Sequence, residues 1–598
     1  MTAQSTSKPS PAPLFKPLAN NEPRVEINFN GEPLSVPSNC SLAAALLAVG
    51  VSRFRDSPVS GEPRAPYCMM GACFECLAEI DGVPNRQSCM VPVRAGMHVH
   101  SAGEVREGRC ISNADGEASK NGDTSTSVSD STSSFTTEPV DVVVVGAGPA
   151  GMSAATRLAH LGHSVVMLDE QDAIGGQIYR AIGNSDAQRK EILGSDYTAG
   201  EAIAQAFEQS GARYISHATV WQVTRDHSVH YLKNGKIGSF RTKRIVLACG
   251  ALERPLPIPG WTLPGVLSAG AAQILLKSAK QVPASAPVLV GCGPLLYLLG
   301  WQYVQAGVPI RAIVDTTRHE DRWRAKRHLI AALRSWQFLS KGLHLLRTLR
   351  NAKVPFFEAA DDLAIEARRG SDGAHRAAAL TFSSKGQTQR IEAEVILLHQ
   401  GVVPNTQFTQ ALRATHRWDD AQLCFTSQTD AWGETDVPGI FVAGDGAGIG
   451  GALAAAQQGI LAALAVAAQL GSINAKERDS QAFTHRAELE RVMRIRPFLD
   501  SLYRPRDAYR IPTGTTIVCR CEEVTANDLR SFVELGCLGP NQAKSFGRCG
   551  MGPCQGRMCG LTVTEVIADA RKVRPAEVGY YRIRPPIKPL TLGELAGA

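Results

Sequence analysis

Residues 140–151 read VDVVVVGAGPAG, and this stretch indicates the architecture at the centre of the chain. The β-branched run predicts a buried parallel strand, and the glycines after it predict a tight turn into a helix. Gly146, Gly148 and Gly151 have the spacing G-x-G-x-x-G, which lets a pyrophosphate approach the amides at a helix N-terminus. The next predicted strand, SVVMLDE, ends in Asp169, an acid placed to bind ribose hydroxyls, with Glu170 as the competing candidate. The sequence therefore predicts a dinucleotide-binding unit.

Three more segments accompany this unit: GGQ at 175–177, ACG at 248–250 and FVAGDG at 441–446. With the glycine turn, they resemble flavoproteins of the glutathione reductase type, which have two dinucleotide-binding domains. The resemblance implies FAD as cofactor, and a Rossmann unit without a cofactor is the alternative. The residues that it implies for FAD binding are Gly146, Gly148, Pro149, Ala150, Gly151, Asp169, Glu170, Gly175, Gly176, Gln177, Val220, Gly250, Gly444 and Asp445.

Two departures from that family narrow the chemistry. The segment GGQIYR has no redox C-x4-C after it, and the second dinucleotide unit has no C-x2-C, so neither type of disulfide reduction is expected. The second unit, APVLVGCGP, keeps Gly291 and Gly293, but Leu296 occupies the third small position. Asp315 could still bind a ribose hydroxyl. The sequence therefore weighs against NAD(P)H as the routine electron donor and leaves NAD(P) binding open.

Composition places the chain among globular proteins of several domains. It has 598 residues, a net charge of only +7 and 15 cysteines. The polar, Pro-rich N-terminus shows no secretory signal, so a cytoplasmic location is expected and the cysteines are expected to bind metal or carry electrons. No nucleic-acid motif accompanies the charge. No transmembrane segment is expected: the most apolar run, residues 452–470, is interrupted by Gln457 and Gln458 and predicts a buried helix.

The first cysteine cluster has the spacing C-x4-C-x2-C-x12-C, formed by Cys68, Cys73, Cys76 and Cys89. This is the plant-type ferredoxin pattern for a [2Fe–2S] cluster. A hairpin predicted at 25–37 and a helix predicted at 41–50 fit a β-grasp ferredoxin domain. Zinc is the alternative metal, although structural zinc usually uses two short C-x2–4-C knuckles.

The second cysteine cluster lies near the C-terminus, in IVCRCEEV and RCGMGPCQGRMCG. Cys519 and Cys521 form a C-x-C pair, and Cys554 and Cys559 form a C-x4-C pair. These pairs resemble the small helical [2Fe–2S] domain of bacterioferritin-associated ferredoxin (BFD), and a zinc ribbon is the alternative. Cys549 is interpreted as a spare thiol, and the choice of ligands among the last three cysteines stays open.

These segments predict an α/β protein whose flavin domains are flanked by two iron–sulfur domains. The Ser/Thr-rich run 116–139 predicts a flexible linker, and hence an N-terminal domain independent of the rest. The predicted parts are a ferredoxin-like domain (22–105), a linker (106–138), the first part of the FAD domain (139–285), a second Rossmann domain (286–385), the second part of the FAD domain with a helical extension (386–510), and a BFD-like domain with a tail (511–598).

Residues 318–350 are rich in arginine and carry Trp323, Leu329, Ile330, Leu333 and Trp336. The pattern predicts an amphipathic helical stretch. It is interpreted either as a solvated face or as a site where an acidic partner subunit docks.

The segments GTTIVCRCEEVT (514–525), CGMGPCQGRMCG (549–560) and YYRIRPPIKPLTLGEL (580–595) support a closer resemblance over about residues 139–598. They resemble the large subunits of opine oxidase and hydrogen cyanide synthase, subunits of hydroxyproline or proline dehydrogenase, and the α subunit of heterotetrameric sarcosine oxidase. The ferredoxin-like piece, a separate small subunit in several of these relatives, looks fused on here.

The resemblance implies an FAD and iron–sulfur electron-transfer subunit of an amine or amino-acid dehydrogenase or oxidase, acting on CH–NH or CH–NH2 donors. The implied partner is a D-amino-acid-oxidase-like flavoprotein β subunit, and the implied acceptor is a one-electron carrier or a quinone, so any membrane association would come through a partner. The alternative is a self-sufficient NAD(P)H-dependent flavin and iron–sulfur oxidoreductase. No catalytic residue is assigned: His399 is the nearest candidate, and a packed core histidine is the preferred interpretation of it.

Overall fold

The computed structural model describes residues 12–19, 22–102, 139–370 and 373–596, so the predicted linker lies outside the described residues. The first domain is a mixed five-stranded sheet of order β3-β2-β8-β6-β7 that packs on one short helix, as predicted for a β-grasp domain. The hydroxyl of Ser41 caps this helix, and all six of its residues are buried. The elements are β1 (Phe15–Pro17), β2 (Arg24–Phe29), β3 (Glu32–Pro37), α1 (Leu42–Leu47), β4 (Arg55–Asp56), β5 (Pro63–Arg64), β6 (Leu77–Ile80), β7 (Val83–Gln87) and β8 (His98–Ser101).

The predicted dinucleotide unit follows as β9, a glycine turn and α2. The strand β9 is central in a parallel sheet, between β10 and β14, which explains its continuous run of valines. The elements are β9 (Val140–Val145), α2 (Pro149–His160), β10 (Val165–Leu168), α3 (Ala187–Leu193), α4 (Ser195–Thr198), α5 (Gly200–Glu208), β11 (Arg213–Ile215), β12 (Thr219–Val223), β13 (Ser228–Lys233), β14 (Lys236–Leu247) and β15 (Ala251–Glu253).

A second parallel sheet, of order β16-β24-β18-β19-β20, forms the second dinucleotide domain. An antiparallel three-stranded sheet, β21-β22-β23, is inserted before its last strand. The elements are β16 (Val266–Ser268), α6 (Ala269–Ala279), β17 (Gln281–Pro283), β18 (Val288–Cys292), α7 (Pro294–Gln305), β19 (Ala312–Asp315), α8 (His319–Ala325), α9 (Leu329–Leu333), α10 (Trp336–Asn351), β20 (Phe356–Phe357), β21 (Asp361–Arg369), β22 (His375–Ser384), β23 (Gln387–Glu392) and β24 (Ile396–Gln400).

The chain then returns to the first sheet, where β28 pairs in parallel with β14. Among the described residues one helix, α12, is long and apolar enough by length and composition to cross a membrane, and 61% of its apolar window is buried inside the protein. The elements are β25 (Val402–Pro404), α11 (Gln407–Ala411), β26 (His416–Asp419), β27 (Cys424–Ser427), β28 (Ile440–Val442), α12 (Ala452–Gln469), α13 (Ala475–Met493), α14 (Arg496–Leu502) and α15 (Asp507–Arg510).

The last domain is small and mostly helical, as predicted. A two-stranded ribbon carries the C-x-C pair, and the helix α18 begins directly after Cys559. The elements are β29 (Ile517–Cys519), β30 (Val524–Thr525), α16 (Ala526–Glu534), α17 (Pro540–Gly547), α18 (Gly560–Arg571), α19 (Pro575–Val578) and α20 (Leu592–Ala596).

The N-terminal domain packs firmly against the other domains, so the expectation that it is independent of them is wrong. Arg64 forms a buried ion pair with Glu523 of the C-terminal domain. The amide of Ser268 donates a hydrogen bond of 2.9 Å to the carbonyl of Tyr67. The Tyr67 ring also packs edge-on against Trp261 at 5.6 Å between centroids. The polar composition of a linker predicts whether the linker itself is flexible. It does not predict whether the domains that the linker joins have complementary surfaces.

The basic stretch after β19 folds as three consecutive helices, α8, α9 and α10, which we call the basic helices. The apolar residues of the predicted amphipathic stretch are exposed: Trp323 by 70%, Ile330 by 72% and Trp336 by 60%. From Arg322 to Asn351 the sequence has no acidic residue. The basic helices therefore present an apolar and positively charged surface to solvent.

Candidate functional site

The glycine turn between β9 and α2 forms the wall of a cavity. A Cβ on Gly146 would lie 2.4 Å from the carbonyl oxygen of Ala248, and a Cβ on Gly151 would lie 1.9 Å from that of Gly146. At Gly148, by contrast, the nearest protein atom to an added Cβ is 3.9 Å away. Two of the glycines are therefore required by packing inside the protein, and the third faces the cavity.

The cavity has a volume of about 480 Å³ and contains most of the predicted FAD-binding residues. All of them except Gly151 and Gly175 line it, and these two lie behind the turns that form its wall. The carboxylate of Asp169 accepts hydrogen bonds from the amides of Ala147, at 2.6 Å, and Gln171, at 2.8 Å. Burial raises the pKa of this carboxyl group, and the two amides counteract that effect.

The FVAGDG segment, the last part of the FAD sequence pattern, leads into a loop that the side chain of Asp445 holds by hydrogen bonds. Its Oδ1 accepts hydrogen bonds of 2.8 Å from the amides of both Gly450 and Gly451, directly before α12. Gly444, one residue earlier, has a left-handed φ of 78°, and a Cβ there would approach Ala150 to 2.8 Å. The structure thus brings the FVAGDG segment against the first glycine turn although about 300 residues separate them in sequence.

Two other domains complete the cavity wall, which the sequence patterns did not predict. Residues 70–72 of the first cysteine loop line it, as do Arg557, Ile587 and Lys588 of the C-terminal domain. Lys588 Nζ donates to the carbonyl oxygen of Gly71 at 2.8 Å and pairs with Glu170 at 3.0 Å. The signal that could have found this contact is the tail sequence 580–595, which by itself indicated only a family resemblance.

The four cysteines of the first cluster are brought together and buried. Cys68, Cys73, Cys76 and Cys89 are between 1% and 6% exposed, and the amide of Cys73 donates to the sulfur of Cys68 at 3.3 Å. Burial alone would raise the pKa of Cys68, but hydrogen bonds from the Cys73 side chain and from backbone amides lower it overall. Four buried thiols without a disulfide fit the donor set of a [2Fe–2S] cluster.

The C-terminal domain gathers five buried thiols. The sulfurs of Cys519, Cys549 and Cys559 all lie within 4.8 Å of one another. Cys521 is hydrogen-bonded to Cys554 instead, and this contact raises the pKa of Cys521. The thiol interpreted as spare, Cys549, is therefore as central as the predicted ligands, and Tyr581 donates a hydrogen bond of 3.0 Å to its carbonyl oxygen.

The second dinucleotide domain has its own acidic residue, Asp315, but other residues of the protein already form hydrogen bonds with its carboxylate. The Tyr297 hydroxyl donates to one carboxylate oxygen at 2.6 Å and the Thr317 amide donates to the other at 2.8 Å. Asp315 is only 3% exposed, and the ring of Tyr503 lies beside that of Tyr297. Leu296, at the third small position of the glycine turn, is fully buried.

His399 is a buried residue of β24, as preferred from the sequence. It is 2% exposed, and its Nδ1 lies 2.6 Å from Oε1 of Glu253, whose other oxygen accepts from the amide of Gly270. Glu253 lines the cavity, whereas His399 contacts it only through Glu253. No geometry here assigns a substrate base.

Three segments of the chain match known protein families. Residues 22–104 match the 2Fe-2S iron-sulfur cluster binding domain, residues 140–459 match the pyridine nucleotide-disulphide oxidoreductases, and residues 513–598 match the sarcosine oxidase A3 domain. The A-subunit of opine oxidase from Agrobacterium tumefaciens (strain Ach5) is 45% identical over 467 residues, which cover 76% of this chain and 91% of that relative. The chain belongs to the opine oxidase A-subunit family.

A more distant sequence relative and a solved structure are also similar to this opine oxidase A-subunit family member. Hydrogen cyanide synthase subunit HcnB of Pseudomonas protegens is 29% identical over 462 residues, covering 75% of this chain and 96% of that protein. The crystal structure of L-proline dehydrogenase from P. horikoshii has a TM-score of 0.67 at 17% identity, covering 97% of this chain and 99% of that one, and thus shows the same fold. Both sequence relatives are named as subunits.

These matches confirm the predicted family, the fold class and an oxidoreductase with an FAD-binding domain and a 2Fe–2S domain. The 2Fe–2S match at residues 22–104 precedes the pyridine nucleotide-disulphide oxidoreductase match at 140–459, in agreement with the predicted N-terminal fusion. A partner subunit is consistent with a family whose members are named as subunits.

Proposed function

We propose that this chain is the FAD and iron–sulfur electron-transfer subunit of a complex that oxidises an amine or amino acid of the opine, hydroxyproline, sarcosine or glycine-like class. The observation that carries the proposal is the cavity itself, because its wall combines the dinucleotide turn, the first cysteine loop and the C-terminal cysteine domain. When bound, a flavin accepts two electrons as a hydride and releases them singly, and each [2Fe–2S] cluster carries one. The wall would therefore place both kinds of carrier together.

The residues that we assign to these groups are those predicted from the sequence. Gly148 and the amides at the start of α2 would receive the pyrophosphate, Asp169 or Glu170 the ribose, and Asp445 the ribityl–phosphate region. Cys68, Cys73, Cys76 and Cys89 would hold one cluster. Cys519, Cys521, Cys554 and Cys559 would hold a second cluster, with Cys549 as the competing ligand. The domain division that we propose is the predicted one with one change: residues 266–285 and 386–400 join the second dinucleotide domain, because β16 and β24 belong to its sheet.

We further propose that the substrate is oxidised in a partner, a D-amino-acid-oxidase-like flavoprotein β subunit, and that electrons leave through a one-electron or quinone acceptor. The basic helices support a docked partner, because exposed tryptophan and isoleucine side chains stand beside an excess of positive charge, which suits an acidic protein surface. Part of that charge is already paired within the chain, at Arg322, Arg324 and Lys341. The helix α10 also contributes Lys341 and Leu345 to the cavity wall. A partner bound there would sit beside the flavin cavity. We place the complex in the cytoplasm, with membrane contact only through a partner.

The alternative, a self-sufficient NAD(P)H oxidoreductase, would use the second dinucleotide domain. Its geometry favours the subunit proposal, because Asp315 is bound by Tyr297 and Thr317 and is closed off from solvent. A ribose hydroxyl could reach this carboxylate only if the packing that buries Asp315 opened.

The experiment that separates the two is anaerobic reduction of the purified chain, followed by the visible absorbance of the flavin. We expect no rapid bleaching with NADH or NADPH, and bleaching by an amine substrate once the partner subunit is added. Rapid bleaching by a nicotinamide alone would overturn the subunit proposal. Native protein without flavin and iron would overturn both functions.

A further inference from the structure

A buried ion pair joins the two cysteine-bearing loops. Glu75 stands directly before Cys76 in the first loop, and Arg520 stands between Cys519 and Cys521 in the second. Arg520 Nε lies 2.6 Å from Glu75 Oε1, and the two side chains are 2% and 0% exposed. Each partner is thus one residue away from a proposed iron ligand, and the contact bridges domains that are more than 400 residues apart in sequence.

Arg520 is held rigidly in this position. Its Nη1 donates to the carbonyl oxygen of Trp261 at 2.7 Å, and its guanidinium group lies 4.5 Å from the ring centre of Tyr67 and 4.6 Å from that of Trp261. Trp261 in turn donates from Nε1 to the carbonyl oxygen of Ile517 in β29, at 2.8 Å. An arginine packed between two aromatic rings keeps its charge and its orientation.

Glu75 binds a second arginine from its own domain. Its Oε2 accepts from Arg55 Nη2 at 2.7 Å, and Arg55 is 8% exposed. Burial would lower the pKa of Arg55, but Glu75, and then Cys521 and Cys73, raise it overall. A single buried guanidinium group is therefore within electrostatic range of one cysteine from each loop.

The network of buried arginines and carboxylates carries an excess of positive charge, which two negatively charged clusters beside it would balance. Three buried guanidinium groups, of Arg55, Arg64 and Arg520, face the carboxylates of Glu75 and Glu523, which leaves one positive charge that a buried site must balance. A [2Fe–2S] cluster held by four thiolates is negatively charged and becomes more so on reduction. Negative groups on both sides of the network would supply the balance.

We propose that Arg55, Glu75 and Arg520 form an electrostatic junction that fixes the two iron–sulfur sites side by side and couples their potentials. The inference rests on the proposed function, namely on a second cluster in the C-terminal domain. Clusters held at these two sites would exchange single electrons, one cluster being oxidised as the other is reduced, with no proton transfer and no covalent change. The electrons originate from the flavin of the proposed function. Glu75 and Arg520 act as positioning residues.

The first test uses the native protein. After full anaerobic reduction, electron paramagnetic resonance is expected to show two [2Fe–2S] signals that are split or broadened by the interaction of their spins. A single cluster would overturn the proposed second cluster and the junction with it. Two clusters with unperturbed, independent signals would overturn the junction and leave the proposed function standing.

The second test is a redox titration of variants. Arg520→Gln removes positive charge and should lower the midpoint potential of both clusters, whereas Glu75→Gln should raise both, each by about tenfold in the reduction equilibrium, or about 59 mV. Arg520→Lys should restore most of the native potentials. The matched control is Arg368→Gln, which breaks an exposed ion pair of 2.8 Å with Glu394.

A shift confined to one cluster, or shifts of the same sign in both single variants, would overturn the junction. If either single variant fails to fold, Glu75→Gln combined with Arg520→Gln removes both charges together. This double variant should keep both potentials near the native values. If the double variant lost only the electron paramagnetic resonance signal of the C-terminal cluster, that result would contradict a junction shared by both clusters.

Discussion

At the scale of single residues, the three glycines of the turn after β9 have different reasons to be glycine. Gly146 and Gly151 would collide with backbone carbonyl oxygens if they carried a Cβ. Gly148 has an ordinary φ of −75° and open space around an added Cβ, so nothing inside the protein requires glycine there. The requirement at Gly148 must therefore come from what the cavity binds.

Gly148→Val is expected to fold and to lose flavin. Its methyl groups would fill the space of the pyrophosphate, so the affinity for FAD should fall by at least about tenfold, or 1.4 kcal/mol. The measurements are the flavin content of the purified protein, a titration of the flavin-free protein with FAD, and the melting temperature of the flavin-free protein. Gly183→Val is the control, because Gly183 is exposed and has no neighbour within 4 Å of an added Cβ. Full flavin content in Gly148→Val would exclude a pyrophosphate at this turn.

The lowered pKa of Lys277 leads to a prediction of how the stability of the protein depends on pH. Burial, and secondarily Arg180, lowers its pKa to about 7, and its Nζ donates to Gln273 at 2.8 Å and to the carbonyl oxygen of Gln177 at 3.2 Å. Because the unfolded lysine binds a proton far more readily than the folded one, the unfolding free energy should fall as pH falls from about 10.5 to about 7 and then level off.

Lys277→Met is expected to remove this dependence, which amounts to about 2 kcal/mol between pH 9 and pH 7. Denaturant unfolding of both proteins at the two pH values measures it. The lost hydrogen bonds affect the variant equally at both values and so cancel in the comparison. Lys190→Met, which removes an exposed lysine paired with Glu201, should keep the native slope. Equal slopes in Lys277→Met and the native protein would show that Lys277 stays charged when folded.

The five thiols of the C-terminal domain give a residue-level test of the ligand assignment. Cys549→Ser is expected to retain the second cluster, whereas Cys554→Ser and Cys559→Ser should each lose its paramagnetic signal and about half of the iron. Iron analysis and electron paramagnetic resonance of the reduced proteins check this. Loss in Cys549→Ser with retention in Cys559→Ser would make Cys549 the ligand, since both sulfurs lie within 4.8 Å of Cys519.

At the scale of elements, the short strand β1 connects the beginning of the chain to the second dinucleotide domain. It pairs antiparallel with β17, where Phe15 faces Pro283. The Phe15 side chain is completely buried, whereas Lys16 beside it is exposed. A strand of three residues cannot be stable alone, so its apolar side chain must supply the binding free energy.

Phe15→Ala should therefore detach β1 and destabilise the region around β17 by about 3–5 kcal/mol, the usual effect of such a cavity. The readouts are a lower apparent melting temperature and faster proteolytic removal of the first residues. Lys16→Ala, which changes only an exposed side chain, should be within about 0.5 kcal/mol of the native protein. Unchanged proteolysis of Phe15→Ala would mean that β1 contributes little to this packing.

At the scale of the whole molecule, the proposed electron carriers and the proposed partner site are organised around one cavity. The cavity wall takes residues from four domains, and α10 of the basic helices contributes Lys341 and Leu345 to it. Eight lysines and arginines occur between Arg322 and Asn351 without an acidic residue. Such a surface should bind an acidic partner rapidly and should weaken with salt.

Trp323→Asp combined with Ile330→Asp is expected to weaken binding of the partner subunit by about 2 kcal/mol or more while flavin and iron stay bound. Co-purification of the co-expressed subunits and their dissociation constant at rising salt measure the effect. Phe483→Asp is the control, since Phe483 is equally exposed, at 74%, but lies on α13. Native affinity in the double variant would place the partner elsewhere.

Much of this architecture could be predicted from local patterns. The valine run, the glycine spacings and the C-x4-C-x2-C spacing are local because a turn into a helix or a loop around a cluster uses neighbouring residues. Leu296 weighed against nicotinamide binding in the second dinucleotide domain, but the sequence did not predict the burial of Asp315 there. The hydrogen bond from Tyr297 to Asp315 could not be foreseen because the spacing does not show which way a side chain points.

Residue types at short spacing were enough to establish the flavin-type fold, the two clustered cysteine sets and the family. Only contacts in the folded protein established that the N-terminal domain is docked, that Lys588 and Arg557 complete the cavity and that Glu75 meets Arg520. These contacts join segments hundreds of residues apart. They depend on complementary shape and charge between folded surfaces, which no single segment of the chain contains.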